Sequence, residues 1–261
     1  LAYREETGKP LRHLRKVAIG GSACPRSMIA KFHNDYGVEV LHAWGMTEMS
    51  PIGTMGTIKP EHRDLEGEAL LDVKQKQGHP PFGVEMKITD DEGRPHPWDG
   101  RTFGRLKVRG FAIAASYYKG ASAEQFDEDG WFDTGDVGHI DAEGYMHITD
   151  RSKDVIKSGG EWISSIDLEN IAVGHPDVAE AAVIGVRHSK WAERPLLVVV
   201  PRDGHSPTGE DILRFMSGKV AKWWMPDDVV FVEAIPHTAT GKIQKTALRD
   251  IFKDYRLPTD A

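Results

Sequence analysis

The sequence predicts a mixed α/β chain in three successive pieces. These are an α/β remnant over residues 1–72, a small β-barrel subdomain over 73–149, and a compact α+β domain over 150–261. Three changes of pattern predict it: a strand, turn, helix and strand near the start, short period-two runs in the middle, and mixed helices and β-branched runs in the last third. Leu14–Ile19 is the first strand and runs into Gly20-Gly21-Ser22. Pro25 then opens a segment whose Met28, Phe32 and Tyr36 recur every four residues, the spacing of an amphipathic helix. Gly37 stops that helix, and Val38–Leu41 forms a second strand leading to His42-Ala43-Trp44-Gly45. This is one βαβ unit, which needs a larger parallel sheet covered on both faces. No repeat of the pattern flanks it, so the expectation is a chain cut from something longer.

From Val73 to Thr149 the runs Glu85–Thr89 and Leu106–Arg109 alternate and are separated by turns such as Asp91-Glu92-Gly93 and Asp141–Gly144, the grammar of a small barrel or sandwich. A helical stretch is expected near Ala121–Phe126. Beyond Asp150–Lys153 come a hairpin centred on Gly159-Gly160 and a helix over about Ser165–Val173, started by Ser164 with Asp167 three residues on. The runs Ala181–Val186 and Leu196–Val200 are too short and too β-branched for helices. A helix over Gly209–Lys222 would align Ile212, Met216, Val220 and Trp223. A strand near Val229–Val232 precedes a last helix beginning near Lys245.

Composition narrows the function. Lys and Arg number 33 against 40 Asp and Glu, a net charge of −7 that opposes general attraction to nucleic acid or anionic lipid but permits a local basic phosphate site. No stretch reaches the roughly 18 apolar residues of a spanning helix. Leu1–Glu6 carries charges of both signs and reads as no secretion signal, so a cytoplasmic location is the default expectation. One cysteine, Cys24, excludes an intramolecular disulfide or a cysteine zinc cage, and it reads as a small residue beside a turn.

Several short motifs have a chemical reading beside a bland one. In Trp44-Gly45-Met46-Thr47-Glu48, past a strand end, the indole could stack on a purine, the threonine meet a phosphate and the carboxylate hold Mg2+. Taken alone, the stretch favours a buried tryptophan beside a polar turn, and Gly20-Gly21-Ser22 could be only a turn. Gly130–Asp136 ends in a carboxylate able to accept from both hydroxyls of a ribose, and Arg151 could face the same sugar with a planar multi-donor group. In Pro236–Ile243 the pair Gly241-Lys242 invites comparison with a P-loop, but the Gly-x4-Gly-Lys-Ser/Thr spacing is absent and a Walker site is rejected. The twelve histidines lack the His-Glu-x-x-His spacing of a zinc site, and no Gly-x-Ser-x-Gly elbow supports a serine hydrolase.

The order of these motifs is more specific than any one of them. Gly20-Gly21-Ser22-Ala23, Trp44–Glu48, Gly130–Asp136, Asp150–Asp154 with Gly159-Gly160-Glu161, and Pro236–Lys242 resemble the successive signatures of the acyl-adenylate-forming superfamily, which includes acyl-CoA synthetases, peptide-synthetase adenylation domains and beetle luciferases. The run Ser158–Ser165 is most similar to bacterial medium-chain fatty-acyl-CoA ligases and methylmercaptopropionate-CoA ligases.

The resemblance implies that a carboxylic acid attacks MgATP to give an acyl-AMP, from which coenzyme A then displaces AMP. It implies that Lys242 bridges carboxylate and phosphate, Glu48 holds Mg2+ and Thr47 contacts phosphate. Gly20, Gly21, Ser22, Trp44 and Gly45 would frame the nucleotide, and Asp136 with Arg151 would hold the ribose. By the same resemblance the small domain pivots at Lys153 between the two steps, and Lys157, Gly159 and Gly160 face the CoA thiol, any side chain at Gly160 narrowing its path. The family's Ser/Thr/Gly-rich phosphate loop is missing from this stretch, so the chain alone is expected to adenylate poorly or not at all. A ligase loading a carrier protein and a non-catalytic nucleotide-binding module remain as alternatives, and a homo-oligomer is left open.

Overall fold

A computed structural model describes residues 2–239 and 241–260; Thr240, within the late glycine loop, and Leu1, within the charged start, lie outside the described residues. After helix α1 (Ala2–Thr7), strands β1 (Lys16–Ile19) and β2 (Glu39–Gly45) pair in parallel, with Lys16 opposite Glu39 and Ile19 opposite His42. Helix α2 (Arg26–Tyr36) joins them, as the four-residue spacing predicts, and buries Ile29 against Cys24, Val40 and Leu71. Its end is set by Gly37 at φ 61°, whose N–H reaches the His33 carbonyl at 3.2 Å while the Val38 N–H reaches Phe32 at 2.9 Å. Strand β3 (Ile52–Met55) returns antiparallel to β2, giving a sheet of order β1-β2-β3. Helix α3 (Gly67–Lys74) then runs through residues 72 and 73, the expected seam.

The middle stretch does not close into a barrel. Strands β4 (Val84–Thr89), β5 (Gly104–Gly110), β6 (Phe132–Ile140) and β7 (Met146–Arg151) form an open antiparallel sheet in sequence order. The physical reason lies in what covers it. Its apolar residues Met86, Ile88, Leu106, Val108, Phe132, Ile140 and Met146 pack with Trp44 at the end of β2 and with Met46 and Met49 from the turn after it, so the face is buried without the sheet curling on itself. The helix expected near Ala121–Phe126 is instead a pair of single 3₁₀ turns, Tyr118–Gly120 and Ala123–Gln125, interrupted by Ser122 at φ 49°.

In the last third, strands β8 (Ile156–Ser158) and β9 (Glu161–Ile163) form the expected glycine hairpin, and helix α4 (Ser165–Val173) follows. The Ser164 hydroxyl accepts from the Asp167 N–H at 3.0 Å, while the Asp167 carboxylate faces His147 Nε2 at 3.6 Å. Strands β10 (Val178–His188) and β11 (Ala192–Pro201) are longer than their apolar runs, and β12 (Asp228–Phe231) joins β11 in parallel, giving order β10-β11-β8-β9 with β12 on β11.

The near-continuous apolar run of β10 has a simple cause. Ala181 and Val183 pack with Leu168, Ile212 and Met216 under α4 and helix α5 (Gly209–Met216), while Ala182, Ile184 and Val186 pack with Leu248 and Leu257 on the opposite face beside helix α6 (Lys245–Ile251). Helix α5 opens with a Thr208–Asp211 capping box and stops at Met216, short of the expected Lys222, because Ser217 leaves helical geometry and Gly218 takes φ 79°. Val220 and Trp223 reach the same core from beyond the break. Among the described residues no helix is long and apolar enough to cross a membrane.

Candidate active site

Strand ends and turns converge where β2, β6 and β7 meet. Asp136 on β6 pairs in register with Arg151 at the end of β7. The Arg151 guanidinium Nε lies 2.7 Å from Asp136 Oδ1, and Trp44 donates its Nε1–H to Asp136 Oδ2 at 2.8 Å. Asp136 is only 3% exposed. That burial pushes its carboxyl up from the ordinary range, against the opposing pull of Arg151, Trp44 and Lys242. Two of the roughly four acceptor positions of a carboxylate are thus taken, which leaves two for a ligand.

A cavity of about 120 Å³ opens beside this trio, lined by Gly21, Ser22, Trp44, Gly45, Asp136, Arg151 and Lys242. The structure therefore brings the early glycine turn, the tryptophan motif, the Gly135-Asp136 stretch inside β6 and the late lysine to one place. Lys242 arrives on an exposed loop closed by Thr238 N–H to the Lys242 carbonyl at 2.8 Å and by an isolated bridge between His237 and Ile243.

The glycines are there for closeness: a Cβ on Gly20 would sit 2.8 Å from the Ala43 carbonyl oxygen, and one on Gly45 1.9 Å from that of Pro51. Gly45→Ala is expected to cost about 1–3 kcal/mol or more, because backbone atoms must separate beneath the Trp44 motif. Its melting temperature, measured against the parent chain, checks this; an unchanged value would contradict the crowding.

Thr47 and Glu48 sit on the next 3₁₀ turn, Thr47–Met49, and are not among the residues lining this cavity. Thr47 is exposed. Glu48 Oε1 accepts from the Tyr117 hydroxyl at 2.5 Å, a contact that together with burial pushes the Tyr117 phenol up to about 12. Glu48 Oε2 has no partner among the described residues. No group of three or more His, Cys, Asp or Glu able to hold a metal occurs among the described residues, so Glu48 belongs to no such protein cage. That suits Mg2+, which keeps its waters and takes one or two carboxylates beside phosphate oxygens.

The hinge and hairpin candidates lie apart from the cavity. Lys153 is exposed in the turn after β7, where the Asp154 and Val155 N–H groups return to the Arg151 carbonyl. Lys157, on β8, lies over the Trp162 ring at 5.6 Å. Crowding at the hairpin falls on Gly159 rather than Gly160. A Cβ on Gly159 would meet Trp191 at 3.1 Å and Trp223 at 3.4 Å, whereas one on Gly160 meets nothing within 4 Å and the constraint there is φ 87°.

Sequence reasoning assigned no role to His42, Gln77 or Asp150, which also line the cavity. His42 Nε2 accepts the Cys24 N–H at 3.2 Å, which places its proton on Nδ1, 2.8 Å from the Gln75 carbonyl. Burial holds this imidazole down at about 4, so it is a neutral brace between β2 and the turn before α2. Its signal was present, a histidine adjoining the tryptophan motif, but nothing in the sequence names its partners.

Comparison with known proteins fits this geometry. The AMP-binding enzyme family matches residues 1–118, and the AMP-binding enzyme C-terminal domain matches residues 167–242. The chain belongs to this acyl-adenylate-forming family of AMP-binding enzymes. It is 55% identical over 254 residues to the 3-methylmercaptopropionyl-CoA ligase of Ruegeria lacuscaerulensis, covering 97% of this chain and 47% of that protein. It is 48% identical over 257 residues to the medium-chain-fatty-acid–CoA ligase of Ectopseudomonas oleovorans, covering 98% and 47%. Among solved structures, the ATP-bound MatB of Rhodopseudomonas palustris superposes with a TM-score of 0.78 at 31% identity, over 96% of this chain and 47% of that one. The chain thus spans about half the length of the curated relatives it matches.

Proposed function

We propose that this chain is part of an ATP-dependent acid–thiol ligase that activates a carboxylic acid, of the fatty-acid or methylmercaptopropionate kind, as acyl-AMP and transfers the acyl group to coenzyme A. One observation carries the reading: Lys242, from the far end of the chain, lines the same cavity as Trp44, Asp136 and Arg151. The names of the similar CoA ligases supply the substrate class.

The physical obstacle to the reaction is repulsion between two anions. In the first step a carboxylate oxygen attacks the α-phosphorus, the bond to the α,β-bridging oxygen breaks and pyrophosphate leaves. The Lys242 ammonium would stand between the two anions as charge passes to the leaving group, a fixed cation where charge develops. Asp136, steadied by Trp44 and Arg151, would use its remaining acceptor positions for the ribose hydroxyls, with Gly20, Gly21, Ser22 and Gly45 giving the backbone close approach to the adenine side. Mg2+, when bound with the triphosphate, neutralises phosphate charge; Glu48 through Oε2 would hold it, and Thr47 would contact phosphate. In the second step the CoA sulfur attacks the acyl carbon and AMP leaves, with Lys157, Gly159 and Gly160 on the thiol side after a swing at Lys153. The pieces 1–72, 73–149 and 150–261 would be the units of this scheme, with α3 running across the first seam.

The full-length protein, given MgATP, a medium-chain acid or 3-methylmercaptopropionate, and free CoA, is expected to release AMP and form the acyl-CoA. Activation with transfer only to a carrier protein would replace CoA as acceptor. Nucleotide binding with no pyrophosphate exchange would reduce the protein to a binding module. Residues 1–261 alone are expected to show negligible ATP–pyrophosphate exchange, since the phosphate loop of the resemblance is missing from them; robust exchange by this stretch would overturn that requirement.

A further inference from the structure

The loop that carries Lys242 has several bonds of its own among the described residues. Gly241 N–H reaches the Thr238 carbonyl at 2.9 Å, Lys242 N–H the Thr238 hydroxyl at 3.2 Å, and Gln244 N–H the Pro236 carbonyl at 2.8 Å. Beyond the loop, His237 Nε2 approaches Glu180 Oε1 at 2.6 Å.

Three residues past Lys242, however, the chain is anchored deep in the molecule. Lys245 begins α6 with its side chain only 10% exposed, its Nζ 2.8 Å from Glu169 Oε1 on α4 and hydrogen-bonded to Ser165 Oγ. The Ser165 hydroxyl in turn donates a hydrogen bond to Asp150 Oδ2, which also accepts the Ser165 N–H at 2.9 Å, while Asp150 Oδ1 accepts the Arg151 N–H at 2.8 Å. Asp150 is 1% exposed. Every bond in this series runs donor to acceptor, Lys245 to Ser165 to Asp150, with Glu169 as the second anion.

We propose that Lys245 is a positioning residue for Lys242: through Ser165 and Asp150 it ties the root of the late glycine loop to β7, the strand that also presents Arg151 to Asp136. The proposal rests on the reading that Lys242 serves acyl-AMP formation. The link spans α6, α4 and β7, so it sets the two walls of the cavity relative to each other. A buried ion pair is a poor source of stability compared with apolar packing and serves better where one register must be specified. Because the link acts through Lys242, it bears on the first half-reaction and not on the second.

The test uses the full-length protein. Lys245→Met combined with Glu169→Gln removes the Lys245–Glu169 ion pair and leaves the buried Asp150 carboxylate its hydrogen bonds from Ser165 and the Arg151 N–H. Three quantities are read: ATP–pyrophosphate exchange with acid, thioester formation from supplied acyl-AMP and CoA, and the melting temperature. Exchange is expected to fall about 10- to 100-fold, the scale of a small misplacement of a catalytic group, with thioester formation unchanged and Lys245→Arg restoring most of the exchange. Equal losses in both half-reactions, or unchanged exchange with a lowered melting temperature, would reduce Lys245 to a structural ion pair and overturn the proposal. Should the double variant not fold, Ser165→Ala, which cuts the route from Lys245 to Asp150 outside the cavity lining, carries the same expectation. Lys242→Ala run in parallel separates the two readings: if its exchange is unaltered the active-site assignment itself fails, whereas a collapse with Lys242→Ala but not with the Lys245 variants rejects only the positioning role.

Discussion

Lys242→Ala in the full-length protein is expected to lower acyl-AMP formation by about 10²- to 10³-fold, the usual cost of deleting one preorganised electrostatic stabiliser. The side chain is exposed at the lip of the cavity, and its loop is closed by backbone bonds that alanine keeps, so the fold loses little. Its charge nevertheless acts on the Asp136 carboxyl, which places the ammonium electrostatically within the cluster of Trp44, Asp136 and Arg151. Pyrophosphate exchange should collapse while the melting temperature stays. Lys242→Arg keeps the charge on a broader planar group and should recover part of the rate, since the two cations are not interchangeable where geometry matters. Exchange at the parent rate with alanine in place would remove the central residue of the proposed mechanism.

Acid is expected to destabilise the chain through His42, and the sign follows from its burial. The imidazole is held at about 4 in the folded protein against about 6.5 unfolded. Between those values the unfolded state binds a proton the native state refuses, so the neutral brace supports folding fully above about 6.5 and loses that support as the pH falls toward 4. Relative to His42→Gln, which has no proton to gain, the parent should lose about 3 kcal/mol between pH 7 and pH 4. Denaturant midpoints of the two chains across that range measure the difference, and referencing one to the other cancels the other titrating groups. Parallel curves would mean that His42 titrates freely and braces nothing.

The candidate site's motifs were legible before any coordinates because most of them sit at or beside the ends of strands and helices. Gly20-Gly21 follows a strand, Trp44 ends one, Asp136 and Arg151 fall on neighbouring strands, and Gly241-Lys242 precedes a helix start. Local rules of pattern and spacing read such positions well. The barrel was misjudged for the opposite reason. Alternation in β4–β7 announces an apolar face but not what covers it, and the cover, the Met46–Met49 turn, comes from a different part of the chain. Likewise the break at Gly218 interrupts an apolar stripe that still packs as one surface, so periodicity alone ran through it.

What the sequence determined by itself is the first βαβ unit, most elements of the last third, the family and the residue types available for charge and phosphate chemistry, since these depend on neighbours a few positions apart. Tertiary structure alone decided which of them meet. The pairing of Asp136 with both Trp44 and Arg151, the silent brace of His42 and the buried route from Lys245 to Asp150 all join residues far apart in the chain. The physical reason is that strand pairing and helix packing set side by side what the chain keeps apart: Asp150 and Arg151 are adjacent on β7, yet Asp150 accepts from Ser165 of α4 while Arg151 meets Asp136 of β6.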